Sequence, residues 1–370
     1  MKILADINIP YIKDYFSGAG ELVLKAGRSM TPRDVKDADI LLVRSVTLVN
    51  KDLLCNSCVR WVGSVTTGSD HLDTQWLDRA GITWCTARGF NAPPVADYVI
   101  SVIAALSQKR ILNKNLLRVA VIGVGRIGQR VARYLQCLGH EVLLCDPLRE
   151  KIDSTFDHHP LEMIADVDVV SVHVPLTKRI EHATYHLIDR AFIERQKTSC
   201  VLLNTSRGAV VDSEAWLRYG AHLHGCFDVW EHEPNIDLML LSRAMIATPH
   251  IAGYSVLSKR RGVEMIYQLA LQAGVISTQL ASMHAISPQR LYITDPSASW
   301  QSIVLRCFDP SVLTENMKQT LSAANHVGTA FDKLREDFNQ RYEFSDVEVV
   351  ADGLQDADRK ILAALGFWFA

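Results

Sequence analysis

The sequence predicts an α/β protein built on parallel, doubly wound sheets. Two observations carry that reading. Short apolar runs alternate with helical periods along most of the chain, and several of the runs end in glycine, aspartate or another polar residue. No internal repeat or low-complexity tract interrupts the alternation.

The first residues, Met1-Lys2-Ile3-Leu4-Ala5-Asp6, read as a strand and lack the long apolar region of a signal peptide. Residues 40–43 form a buried strand ending at Arg44-Ser45, residues 59–65 another opening into Thr66-Thr67-Gly68, and residues 82–85 a third. Asn91-Ala92-Pro93-Pro94 starts a helix to about Gln108, with proline suited to the first turn. Residues 118–122 make a strand, and a glycine-rich turn leads into a helix through Leu138. Gly139 ends that helix, and the strand 141–145 stops at Asp146. Further strands are expected at 167–173, 200–204, 226–229 and 245–247, with helices between them. Residues 255–275 read as a helix leaving this unit, and 277–300, rich in Ser, Thr and Pro, as a linker. Beyond it come a long helix at 311–338, a strand at 343–351 and a last helix at 355–366.

With 370 residues, the chain has room for two or three domains at about 150 residues each. A core of that size needs no disulfide or metal to hold it. The 39 basic residues nearly cancel the 41 acidic ones, leaving −2, which argues against a nucleic-acid or membrane-surface binder. No apolar run approaches the roughly 18 residues of a membrane span, and Ser101 interrupts the best candidate at 98–106. The eight cysteines are scattered, which suits a reducing, cytoplasmic setting. Cys55 and Cys58 have redox-like spacing without a second pair, so they read as incidental thiols, and no metal site is expected.

Residues 123–128, Gly-Val-Gly-Arg-Ile-Gly, lie between a strand and a helix, and Asp146 closes the next strand 23 positions after Gly123 (146 − 123). That is the arrangement of a dinucleotide-binding unit. Gly123 permits the tight turn, Gly125 lets backbone approach a pyrophosphate, and Gly128 allows close helix–strand packing. N–H groups at the helix start, around Arg126 and Ile127, face the phosphate charge. A carboxylate at Asp146 accepts hydrogen bonds from ribose hydroxyls and repels a 2′-phosphate, so NAD is favoured over NADP. Arg149 would weaken that preference if it turned toward a 2′-phosphate.

Three polar groups follow later strands. Arg207, in Asn204-Thr205-Ser206-Arg207-Gly208, can grip a carboxylate through two parallel hydrogen bonds. Residues 228–234, Asp-Val-Trp-Glu-His-Glu-Pro, follow the next strand, and Thr248-Pro249-His250 the one after. A histidine can take a hydroxyl proton while hydride leaves the same carbon, and a neighbouring carboxylate fixes its tautomer. His173, at another strand end, reads as an ordinary histidine.

The order and spacing of the glycine turn, residues 173–177, residues 204–208 with Val211-Asp212, residues 228–234 and residues 248–253 resemble the D-2-hydroxyacid dehydrogenase family. The resemblance implies a Rossmann-type NAD domain at 96–254, inserted in a smaller flavodoxin-like α/β substrate domain at 1–95 and 255–280. It further implies that Arg207, Glu233 and His250 are the catalytic trio, with Glu231 the near-miss carboxylate. Val174, Pro175, Thr205, Ser206, Arg207 and Gly253 would line the cofactor, and Asp228 would meet the nicotinamide carboxamide.

Residues 43–47, 63–73 and 250–254 are similar to the branch of the family that oxidises 4-phospho-D-erythronate in vitamin B6 (pyridoxal 5′-phosphate) biosynthesis. Residues 331–335 and 341–344 resemble that branch's C-terminal α+β dimerisation domain, expected here at 281–370, which implies a homodimer. Residues 88–94 depart from the branch's usual Pro-Gly-Cys-Asn-Ala run. The substrate carries a carboxylate and a phosphate at opposite ends. Thr66, Thr67 and Arg207 are candidates for the first, Arg44, Ser45 and Tyr254 for the second, and Arg341 for a reach across a dimer. Two alternatives stay open: a 3-phosphoglycerate-type dehydrogenase, and a non-catalytic NAD-sensing protein of the same fold.

Overall fold

The computed structural model describes residues 1–178, 181–277, 287–338 and 341–369. The chain forms two compact units, Met1–Asn91 with Leu257–Ile286, and Ala92–Val256 with Ser287–Ala370. Ser287–Ala370, most of the domain expected at 281–370, fall in the same compact unit as the dinucleotide motif.

The first unit holds a five-stranded parallel sheet of β1 (Lys2–Asp6), β2 (Glu21–Lys25), β3 (Ile40–Val43), β4 (Trp61–Ser64) and β5 (Thr83–Thr86), in the order β2-β1-β3-β4-β5. This is the flavodoxin-like order, whose reversal between β1 and β3 opens a ligand position at the strands' carboxyl ends. Strand β3 is buried along its whole length because layers cover both faces of the sheet. One layer contains Tyr15, Phe16, Val263, Ile266 and Tyr267, which brings helix Val256–Gln272 into this unit.

The second unit holds a six-stranded parallel sheet. Its strands are β6 (Arg118–Ile122), β7 (Glu141–Cys145), β8 (Val169–Val172), β9 (Val201–Asn204), β10 (His224–Phe227) and β11 (Ile246–Ala247), ordered β11-β10-β9-β8-β6-β7. Helix Ala92–Gln108 begins at the expected turn and is buried nearly throughout. Helix Arg126–Cys137 ends before Gly139, whose positive φ of 82° supplies the left-handed turn that stops a helix.

The last part of the chain differs most from expectation. Part of the supposed linker, 278–286, lies outside the described residues. The rest contains β12 (Gln289–Ile293), which pairs in parallel with β13 (Val347–Ala351), itself paired with β14 (Trp368–Phe369). Only Leu291 and Ile293 of β12 point inward, a period too short to stand out from sequence. The single helix expected at 311–338 is two, Pro310–Ser322 and Val327–Asp337, preceded by Trp300–Cys307. The break lets Met317 and Leu321 of one and Phe331 of the other reach the same apolar layer. Leu291, Val347, Leu362 and Phe367 join Val119, Val131 and Leu135 in another, which explains why 287–370 and the six-stranded sheet form one unit.

Candidate active site

The strand order of the second unit reverses between β6 and β8, so ligands are expected beyond their carboxyl ends. Gly123 sits there with φ 85°, and a Cβ in its place would lie 2.7 Å from Val174 Cγ1 and 2.8 Å from the His173 carbonyl carbon. Gly128 is equally close to Gly123 O, at 2.0 Å from an added Cβ. Gly125 alone faces open space, and as the helix N-cap it offers no side chain to the first-turn N–H groups. Two glycines therefore close the turn while the third leaves a bare cradle of donors, which fits a pyrophosphate. Asp146 stands beside it. Its Oδ2 accepts from the Val124 N–H at 2.8 Å, and its Oδ1 caps the next helical turn at Arg149 N. Arg149 is close by, stacked on Phe156 and donating to Val124 O.

His173 hydrogen-bonds Ser171 at 2.8 Å and Thr205 at 3.1 Å, and burial pushes its imidazole down to about 3. It is a neutral, fully used histidine that positions Thr205. Ser206 donates its hydroxyl to Asn204 Oδ1 at 2.7 Å, and Asn204 Nδ2 donates to Arg207 O at 2.9 Å, so this turn is tied internally. Pro175 O accepts from the Thr184 hydroxyl.

Glu233 and His250 meet at 2.7 Å through Oε2 and Nδ1. The other carboxylate oxygen of Glu233 accepts from the Trp230 N–H at 2.8 Å, so the side chain is held at both oxygens. Burial pushes the Glu233 carboxyl up. The charge and hydrogen bond of His250 outweigh this, with the Arg335 charge and the Trp230 N–H adding, so it lies below its ordinary value. With Nδ1 engaged by a carboxylate, the proton sits there and Nε2 is the nitrogen left for chemistry.

His250 lies in the left-handed region, φ 58°, and Asp228 holds it there. The Asp228 backbone carbonyl accepts from His250 N at 2.7 Å. One carboxylate oxygen accepts from Thr248 Oγ1 and Ile251 N, the other from Ala252 N. Tyr98 joins through Thr248 at 2.8 Å. Burial raises the Asp228 carboxyl despite the His250 charge and these donors. The loop carrying His250 and Gly253 is thus built on Asp228, an anchoring role that the sequence did not announce.

A Cβ on Gly208 would lie 1.9 Å from the Trp230 carbonyl carbon, so the turn bearing Arg207 packs directly on residues 230–231. Glu231 hydrogen-bonds His186 at 2.9 Å, leaving Glu233 as the carboxylate on His250. Tyr254 lies under Arg335, whose guanidinium carbon is 5.5 Å from the ring centroid. Arg341, a candidate for a reach across a dimer, is 2% exposed and donates to Ala252 O and Pro94 O within its own chain.

In the first unit, Arg44 follows β3 and donates Nε to Asp6 Oδ2 at 2.8 Å, at the end of β1. It therefore occupies the reversal point of that sheet. Ser45 next to it is exposed. Thr66 hydrogen-bonds Ser64 and Gly68 O, and Thr67 donates to Asn91 at 2.6 Å. Sequence reasoning missed Lys259 here: burial, followed by the charge of Arg44, holds its ammonium below the ordinary value. Among the described residues, no group of three or more His, Cys, Asp and Glu is arranged to hold a metal.

A nucleotide cradle with a histidine–carboxylate pair in one Rossmann-type unit is the equipment of a nicotinamide-dependent dehydrogenase. Residues 104–252 match the family model described as D-isomer specific 2-hydroxyacid dehydrogenase, NAD binding domain. An erythronate-4-phosphate dehydrogenase from Coxiella burnetii is 39% identical over 94% of this chain and 95% of its own. One from Marinobacter nauticus is 38% identical over 99% of both. Among solved structures, D-lactate dehydrogenase from Aquifex aeolicus, complexed with NAD and lactic acid, aligns with TM-score 0.63 at 24% identity. It covers 74% of this chain and 96% of that one, a likeness of fold. The chain belongs to the erythronate-4-phosphate dehydrogenases, within the D-isomer-specific 2-hydroxyacid dehydrogenases. It is an NAD-dependent oxidoreductase acting on a CH–OH group.

Proposed function

We propose that this chain oxidises 4-phospho-D-erythronate at C2 to (R)-3-hydroxy-2-oxo-4-phosphooxybutanoate, a step of vitamin B6 biosynthesis. The observation that carries the substrate is near full-length identity to relatives of that name. NAD, when bound, supplies the hydride acceptor. His250 Nε2 takes the C2 hydroxyl proton as the carbonyl forms, and Glu233 stabilises the resulting imidazolium through Nδ1–H. Arg207 pairs with the substrate carboxylate, and its turn is fixed by Asn204 and by contact with residues 230–231. Gly123, Gly125 and Gly128 with the N–H groups at Arg126 and Ile127 receive the pyrophosphate, and Asp146 the ribose. Val174, Pro175, Thr205, Ser206, Asp228 and Gly253 line the nicotinamide end.

Thr66 and Thr67 serve the carboxylate end of the substrate. Arg44, Ser45 and Tyr254 serve the phosphate, and Lys259 adds a cation beside Arg44 that suits a dianion. Residues 281–370 serve as the dimerisation domain of a homodimer, and the eight unpaired cysteines fit a cytoplasmic setting.

The test is turnover of 4-phospho-D-erythronate beside 3-phosphoglycerate, read as NADH formed without an acceptor and, in a second arm with an added 2-oxo acid, as the 2-hydroxy acid produced from it. We expect turnover on the first to exceed that on the second by about 10²-fold or more. Equal turnover would reassign the substrate, and none on either would favour an NAD-sensing protein.

A further inference from the structure

We propose that Arg335, on helix Val327–Asp337, is a positioning residue for the reaction: its guanidinium, lying over Tyr254 beside the His250 loop, keeps the Glu233–His250 pair from taking up a second proton. This deepens the reading of that pair as the proton-accepting group, and it rests on that reading.

One helix touches the pair from two sides. At its start, a Cβ on Gly328 would lie 2.6 Å from Asn235 Oδ1 and 3.2 Å from Pro234 Cγ, the two residues that follow Glu233. A side chain there would have to displace the Asn235 amide and crowd Pro234, so the glycine brings the helix close onto that turn. Two turns later, Arg335 lies over the ring of Tyr254, four residues beyond His250. Phe331 between them is 1% exposed and belongs to the apolar layer beneath the six-stranded sheet, so the helix cannot slide. Arg335 Nε is fully buried with no hydrogen-bond partner. A half-buried cation with one buried, unsatisfied nitrogen is screened less than a cation in open water, so its charge reaches neighbouring groups.

The charged groups around the pair come from four elements. Asp228 lies at the end of β10 and acts on His250. Arg335 comes from helix Val327–Asp337 and acts on both Glu233 and Asp228. Tyr254 follows the His250 loop, and Arg341 acts through Asp228. Burial alone would pull the Arg335 guanidinium down. Tyr254, Glu233 and Asp228 outweigh that, so it stays charged. A fixed positive charge favours the carboxylate and opposes addition of a proton to the pair. The sign follows: removing Arg335 lets the pair protonate at higher pH, so activity is lost earlier as pH falls.

The experiment compares the acid limb of kcat/KM against pH for wild type, Arg335→Met, Arg335→Gln and Arg335→Lys, with thermal melting to establish folding. The account expects the limb to move up by about one pH unit in the Met and Gln variants and to stay in place with Lys. If the Met variant does not fold, the Gln and Lys pair carries the comparison. An unmoved limb in the uncharged variants, or an equal shift with Lys, overturns the role of Arg335. A merely structural role would lower rate or melting temperature without separating charged from uncharged variants. His250→Ala is run in parallel: wild-type turnover there overturns the reading of the pair as well, whereas an inactive His250→Ala protein with an unmoved limb overturns Arg335 alone.

Discussion

Residues 230–234 present two carboxylates two positions apart, and each meets a histidine. Glu233 is 2.7 Å from His250, and Glu231 is 2.9 Å from His186. Exposure does not separate them: the side chains are 20% and 25% exposed in the first pair, and 12% and 28% in the second. What separates them is the other ring nitrogen. His186 Nδ1 faces Asp212 at 3.6 Å, and its ring stacks on Tyr185 at 3.9 Å, so both of its nitrogens meet carboxylates. His250 uses only Nδ1; the backbone does not separate the two, since both lie in the left-handed region, at φ 58° and 53°, with the N–H bonded to a carbonyl. A histidine–carboxylate contact alone therefore does not mark a base; a base needs its second ring nitrogen left open to the substrate.

Substitution of the two histidines breaks the comparison most sharply. His250→Ala is expected to cut kcat by about 10²-fold or more with NAD binding retained, and His186→Ala to stay within about threefold. Steady-state rates beside fluorescence-monitored NAD titration check this, and equal losses would erase the distinction. Arg207→Ala tests the turn packed on the same residues: kcat/KM should fall about 10²-fold, mostly through KM. Wild-type values would remove the carboxylate clamp.

The two carboxylates sharpen the contrast further. Glu233→Gln should lower kcat by roughly tenfold, because the imidazolium loses its counter-charge, while Glu231→Gln should change it little. The smallest effect is expected away from both pairs. Asp146→Ala should leave kcat with saturating NAD near wild type but lower the preference for NAD over NADP by about tenfold. An unchanged cofactor ratio would take the ribose contact away from Asp146.

The parts of this site legible in the sequence are those made by neighbours in the chain. Gly123, Gly125 and Gly128 declare themselves because a tight turn, an open cradle and a close packing each demand the missing Cβ within six residues. Helix Ala92–Gln108 and strand β7 were readable for the same reason: caps and apolar runs are local. The pairing of His250 with Glu233 rather than Glu231 needed the family resemblance, since two acidic residues so close in sequence look alike. Arg335 gave no local sign at all. Its meaning depends on where a helix some 80 residues downstream of His250 comes to rest (335 − 250 = 85), and on the break at 323–326 that the helical period conceals. β12 was lost in a stretch whose composition suggested a linker, because only two of its five residues turn inward.

The most direct test of the account is NADH formation from 4-phospho-D-erythronate by the His250→Ala protein, titrated with imidazole. The account predicts that turnover disappears and that imidazole restores part of it, since a free base can enter where the ring was lost while Glu233 and Arg207 remain. Turnover at the wild-type rate without imidazole would contradict it.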